Sequence, residues 1–419
     1  MAQRYDTYKD SGVFWNSTIP NTWEKRRLGY VLKKENRPRP SNADLLVCTN
    51  KATVIKKGDS KMGLVSESDE IYQGVKSGDL LIHGMDTWHG AIAVSKFDGM
   101  CTPVVHVCTS DNDVKFVEYY LRHMALMKVF KLISNGVRQN TSDFRSWAKV
   151  AAIPCILPPL PEQHAIVSYL DDKCGKLDEW IEKKQKEVEL LQEMKQRVIA
   201  DAVTRGLNPD VKMKQTNIPW LPKVPEHWEV KTLRNFLTMF AEKGHGDKQL
   251  LSVTREQGVI VRNIDSKEEN HNFIPEDLSN YKYVQEGDFV INKMKSWQGS
   301  YGVSEHEGIV SPAYFTCKLS GVDKSFFSTA IRSKVYVSFF GRYSKGIRVD
   351  QWDLSPIALK SIPFILPPLS EQRAIVSYIN ERTAKIDKMV ENVNREIESL
   401  KEYKQRLISD VVTGQIKVC

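Results

Sequence analysis

Two long stretches of the chain carry the same spacing of apolar and polar positions. In the first, apolar residues fall at Leu170, Cys174, Leu177, Ile181, Val188, Leu191, Val198 and Ala202. In the second they fall at Ile379, Ile386, Val390, Val393, Ile397, Leu400, Leu407 and Val411. Steps of three and four residues sustained this long are a heptad seam, so each stretch predicts a long helix of the coiled-coil type. Each holds about 40 residues, or roughly 60 Å of rod at 1.5 Å per residue. Pro161 suits the first helical position, where no amide hydrogen bond is lost. Glu162 and Glu371 sit in the first turns, at the positive end of the helix dipole. A lone helix cannot bury its own stripe, and the economical partner is the other copy. Lys184, Lys195 and Lys404 interrupt the seam. Two readings of them stay open: their stems pack while the ammonium groups reach water, or they fix register at some cost in stability.

The similarity goes beyond periodicity. Ile156-Leu157-Pro158-Pro159-Leu160-Pro161-Glu162-Gln163 opens one copy, and Ile365-Leu366-Pro367-Pro368-Leu369-Ser370-Glu371-Gln372 opens the other. From there to Thr204 and Thr413 the copies align without a gap, which marks an internal repeat. Upstream, Trp15 matches Trp220, Pro20 matches Pro225, and Trp23-Glu24 matches Trp228-Glu229. These tryptophans read as packing anchors. Residues 29–75 and 234–284 share little, but both show short β-branched and aromatic runs broken by Gly, Asn, Asp and Ser, the pattern of strands and loops. Similarity returns at Gly78-Asp79 and Gly287-Asp288, each a turn followed by a buried strand. The loops beyond align Trp88 with Trp297 and Gly90 with Gly299. Short helices are predicted around 114–134 and 323–340. The order is globule, rod, globule, rod, with boundaries at 1–155, 156–210, 211–364 and 365–419. The class is α+β, with two similar α/β globules and pseudo-twofold geometry.

Composition narrows the chemistry. Of 419 residues, 41% are hydrophobic and 27% charged, and no stretch approaches the ~18 consecutive apolar residues of a membrane span. The N-terminus lacks the pattern of a signal peptide. Seven scattered cysteines without a C-x-x-C pair fit a reducing cytoplasm rather than a disulfide framework or a zinc cage. No glycine-rich phosphate cradle, H-E-x-x-H or G-x-S-x-G occurs. The net charge of +8 permits a polyanionic partner.

Two related globules held by two rods can grip two separated sites on one ligand, and a duplex with two half-sites suits such an object. The LPPL-x-EQ-x-AIVSY runs, the KQR-[VL]-I segments, the VTRGL and VTGQI ends and the IP-x-x-W-E lead-in resemble the DNA-specificity subunit of type I restriction–modification enzymes. The resemblance covers nearly the whole chain. It implies two target-recognition domains, each reading one half of a bipartite double-stranded DNA site, and two long helices packed as an antiparallel coiled coil that sets the spacer. It also implies two docked methyltransferase subunits and further restriction–translocase subunits. S-adenosylmethionine, ATP and magnesium are then expected on those partners and none in this chain, a non-catalytic subunit. Candidates for DNA contact are His83, Asp86, His89, Asn292, Lys293, Lys295 and Gln298 after the Gly-Asp strands. Arg138, Gln139, Asn140, Arg348 and Gln351 follow as a second group. Arg, Lys, Asn and Gln are the types that reach base edges or phosphates. The alternatives are a coiled-coil scaffold that never touches nucleic acid and a duplicated nuclease with dispersed acids.

Overall fold

The computed structural model describes residues 3–58, 71–134, 144–263, 275–346 and 352–418. Both seams form single helices, Leu160–Arg205 and Leu369–Val412. Pro161 lies one residue inside the first of them. The chain divides into two compact units. Unit 1 is residues 1–184 with 395–419, and unit 2 is 185–394. Each unit therefore holds one globule together with parts of both long helices. None of the described helices is long and apolar enough to cross a membrane.

The strands of unit 1 form a four-stranded antiparallel sheet in the order Lys33–Lys34, Val105–Thr109, Leu80–His83, Ile92–Val94. Unit 2 repeats it as Leu237–Phe240, Phe315–Leu319, Phe289–Ile291, Tyr301–Val303. The antiparallel ribbons repeat too: Leu46–Cys48 with Val54–Lys56 corresponds to Leu251–Thr254 with Gly258–Val261. Those ribbons lie in the stretches whose sequences share little, so the fold is duplicated even where the residues are not. Helices Val114–Leu126 and Lys324–Ile331 are capped by Asp113 and Asp323, whose carboxylates accept the exposed first-turn amides. They pack on the sheets through Phe116 and Tyr120 in unit 1 and through Phe326 and Phe327 in unit 2, all fully buried.

The repeated motif at the helix starts is a fastening. In unit 1 the buried Trp23 indole donates to Glu162 at 3.1 Å, and Tyr5 donates to the same carboxylate. In unit 2 Trp228 donates to Glu371 at 2.9 Å, and His227 lies 2.5 Å from it. The next residue completes the joint. Gln163 donates to Pro158 O at 2.8 Å and accepts from Asp113 N at 3.0 Å. Gln372 donates to Pro367 O at 2.8 Å and accepts from Asp323 N at 2.9 Å. One glutamine thus binds the strand entering the long helix and the cap of the short one. The far end of each rod meets the tryptophan that fastens the start of the other. Gly206 turns out of the first long helix at φ +77°, where a Cβ would come within 3.1 Å of Trp228. Gly414 does the same at φ +75°, where a Cβ would run into Pro20 and touch Trp23. Both the left-handed backbone and the close approach require glycine there.

The long-helix segments within each unit run antiparallel. In unit 1, Lys404 binds Asp178 at 2.6 Å and Lys184 binds Glu396 at 2.8 Å, so one helix ascends as the other descends. In unit 2, Lys195 binds Asp387 at 2.6 Å. Lys195 and Lys404 occupy equivalent places in the repeat, and so do Asp178 and Asp387. Each pair is partly exposed, and such pairs contribute only about 0.2–1 kcal/mol. Burial contributes more, at about 1.5–3 kcal/mol for a Leu or Ile side chain. The seam therefore contributes more stability than the lysine pairs do. Leu170, Leu177, Ile379, Ile386, Val393, Ile397, Leu407 and Val411 are buried, whereas Ile181, Val188, Leu191, Val198, Val390 and Leu400 are half-buried.

His123 is buried on the Val114–Leu126 helix, and neither ring nitrogen has a partner among the described residues. Burial pushes its pKa down from 6.5 to about 4, with Asp410 opposing. The folded value lies below the unfolded one, so the unfolded chain takes up the proton first. The stability carried by the neutral ring is present above pH 6.5 and is lost as the pH falls toward about 4. His123→Phe is expected to flatten the fall in melting temperature between neutral pH and pH 4, as followed by circular dichroism. Gln372→Ala is expected to destabilise unit 2 by about 2 kcal/mol, because two backbone groups are left without their buried partner. Chemical denaturation followed by tryptophan fluorescence checks that value.

Candidate nucleic-acid interface

Each Gly-Asp turn aims a buried strand at a short loop. Gly78 and Gly287 take φ of +92° and +88°, and the buried carboxylates of Asp79 and Asp288 accept the amides of Lys76 and Gln285 at 2.7 and 2.9 Å. Different cations neutralise them. Arg37 forks onto Asp79, while Lys318 reaches Asp288 at 3.0 Å. The strands end at His83 and Ile291, and each loop closes through a single 3-10 turn, Thr87–His89 or Ser296–Gln298. Gly90 and Gly299 terminate these turns in the left-handed region.

Within the loops, side chains divide into two sets. Thr87 and Ser296 are buried and bond back to the carbonyls of His83 and Lys293 at 2.6 and 3.2 Å. Trp88 and Trp297 are half-buried, and Trp297 meets Trp352 at 5.0 Å between ring centres. Their indole N–H groups have no partner among the described residues. His83 accepts the Asp86 amide through Nδ1 at 3.1 Å, and burial lowers its pKa against the pull of Asp86. Asn292 is buried and accepts the Met294 amide at 3.2 Å. Both residues shape the turn from inside. The outward set comprises Asp86 and His89 in one loop and Lys295 and Gln298 in the other; Gln298 alone of these is half-buried. The two loops follow one backbone course and present different chemistry.

Lys293 is half-buried, its carbonyl held by Leu354 N at 3.1 Å and its ammonium 3.5 Å from Asp353. Arg138, Gln139, Asn140, Arg348 and Gln351 lie outside the described residues. One residue that the sequence does not mark joins the first loop: exposed Arg145 reaches Met85 Sδ at 3.2 Å. Nothing local distinguishes Arg145, since tertiary packing alone brings it there. No group of three or more His, Cys, Asp or Glu side chains among the described residues could hold a metal ion.

No family model matches the chain. It is 24% identical over 428 aligned positions to a protein of Methanocaldococcus jannaschii assigned as the MjaX type I restriction enzyme specificity subunit, with 96% of this chain and 95% of that protein covered. It is 27% identical over 280 positions to the MjaVIII type I restriction enzyme specificity subunit of the same organism, covering 62% of each. The fold is similar to a chain solved in work on complex assembly and conformational transition of the type I R-M system, with TM-score 0.64, 14% identity, and 94% of this chain and 98% of that one covered. It is also similar to the HsdS subunit of Thermoanaerobacter tengcongensis, with TM-score 0.50, 14% identity, and coverage of 95% and 98%.

The inward and outward loop residues are expected to separate experimentally. Asn292→Ala should cost about 1–2 kcal/mol of stability by removing a buried side chain and the acceptor of the Met294 amide. Lys295→Ala, on an exposed side chain, should stay within about 0.5 kcal/mol of the parent. Thermal unfolding of the two variants checks both values.

Proposed function

We infer that the chain is the DNA-specificity subunit of a type I restriction–modification enzyme. Each globule reads one half of a bipartite duplex site. The two long helices carry the reading heads and set the unread spacer. Methyltransferase subunits dock on these helices, and restriction–translocase subunits complete the assembly. The chain itself binds and does not catalyse. S-adenosylmethionine, ATP and magnesium serve the partner subunits. Its similarity over almost its whole length to specificity subunits supports the assignment.

The pair of loops carries the molecular part of the reading. Asp86 and His89 stand on one copy of a shared backbone course, Lys295 and Gln298 on the other. Two half-sites of different sequence need such a device, a constant frame with exchangeable outward groups. A carboxylate accepts from the cytosine amino group, a lysine favours guanine, and a glutamine pairs with adenine in the major groove. The inward-facing residues, His83 and Asn292, hold the frame.

Methylome sequencing of cells expressing the full chain with its methyltransferase tests this function. One split motif is expected, with a modified base in each half. Lys295→Ala should relax the sequence of one half and leave the other unchanged. A continuous motif, or relaxation of both halves together, would overturn the assignment of one reading head to each half.

A further inference from the structure

Three lysines of unit 2 converge from separate segments of the chain. Tyr283 N donates to Glu242 O at 2.8 Å, which lays Lys243 beside Lys282 at the start of the strand Lys282–Val284. The Lys282 ammonium donates to Tyr314 O at 2.6 Å. Tyr314 immediately precedes Phe315, which pairs with Ile291, two residues before Lys293. Asp353 lies 3.5 Å from Lys293, a long contact between partly exposed groups. Lys243 is exposed and makes no ion pair among the described residues. Burial, and then the charges of Lys243 and Lys293, make Lys282 a weaker base than an ordinary lysine.

The fold does not require these charges. Strand register matches Lys282 with Gln73 of unit 1. The Gln73 amide donates to Val105 O at 2.6 Å, the counterpart of the Lys282 bond to Tyr314 O. Lys293 corresponds to Gly84, and Lys243 to Pro38. A neutral side chain therefore satisfies the same carbonyl in unit 1, and two of the three ammonium groups have no counterpart side chain that could carry charge. Gathered like charges are unfavourable on their own and favourable around an anion. Lysine, a compact point charge with three rotatable donors, suits a phosphate approached from several directions.

We propose that Lys243, Lys282 and Lys293 form a phosphate-binding cluster through which unit 2 grips the backbone of the DNA duplex, at positions where unit 1 carries no charge. The proposal rests on the DNA-reading function inferred above. Phosphate contacts hold orientation and strengthen binding without carrying sequence information.

The test uses the full chain and a fluorescently labelled duplex of mixed sequence, with affinity measured across a salt series. Replacing all three lysines by glutamine keeps the Lys282 bonding pattern that Gln73 already demonstrates. The slope of log affinity against log salt is expected to shrink by roughly 0.9 for each phosphate no longer neutralised, or about 2 to 3 in all. Replacement by arginine should restore the parent slope. Should the triple glutamine variant fail to fold, Lys243→Gln alone, on an exposed side chain, carries the same reading with a decrease of about 0.9. An unchanged slope and affinity in a folded glutamine variant would overturn the proposal, as would a changed target sequence in the methylome. A parent chain that binds no duplex at low salt would instead sink the DNA-reading function, and this cluster with it.

Discussion

A buried indole bonded to a carboxylate in the first turn of a helix is the joint on which each unit depends. Trp23 with Glu162, and Trp228 with Glu371, tie each globule to the helix that begins there. The same rings receive the glycine that ends the other helix, Gly414 in unit 1 and Gly206 in unit 2. A buried donor left without an acceptor costs about 1–3 kcal/mol, so the ring and carboxylate specify one orientation as well as adding stability. Pro158–Gln163 and Pro367–Gln372 are thus explained as joints. The prolines set the entry, the glutamate holds the ring, and the glutamine holds the cap of the neighbouring short helix.

Along the rods, burial and charge divide the work. Apolar seam residues supply most of the energy, and the Lys–Asp pairs are too exposed to rival them. The pairs matter through geometry. A slide by one turn, about 5.4 Å, separates the partners and brings other groups opposite each lysine. The ion pairs favour the register-fixing reading of Lys195 and Lys404, and the partial exposure of both lysines agrees with stems that also pack. The geometry is compatible with both readings, each for a different part of the side chain.

The loops illustrate how a duplicated protein can specialise. Interior positions are constrained by the turn itself, through buried Thr87 and Ser296 and the left-handed Gly90 and Gly299. Outward positions are less constrained by the interior, although the Asp86 carboxylate still lies 3.3 Å from His83. At equivalent positions of the two loops the chain carries Asp86 against Lys295 and His89 against Gln298. The contrast between Gln73 and Lys282 is of the same kind: each satisfies the equivalent carbonyl, and only one carries a charge.

Sequence alone determined the two long helices, their seam, the internal repeat and the buried tryptophans. Those features are local or periodic, and a heptad or a repeated octapeptide is visible without knowing what it touches. Sequence also located the turn and strand leading to each loop, because Gly-Asp followed by an apolar triplet is a local signal. It could not separate His83 and Asn292, which face inward, from Asp86 and Lys295, which face out, since all are polar residues in one turn. Nor could it show that residues 46–56 and 251–261 hold the same ribbon, or that the fold brings Lys243, Lys282 and Lys293 to one side of unit 2. Strand pairing and surface clustering are set by interactions between segments far apart in the chain. Many sequences satisfy one backbone ladder, so only the tertiary structure decided them.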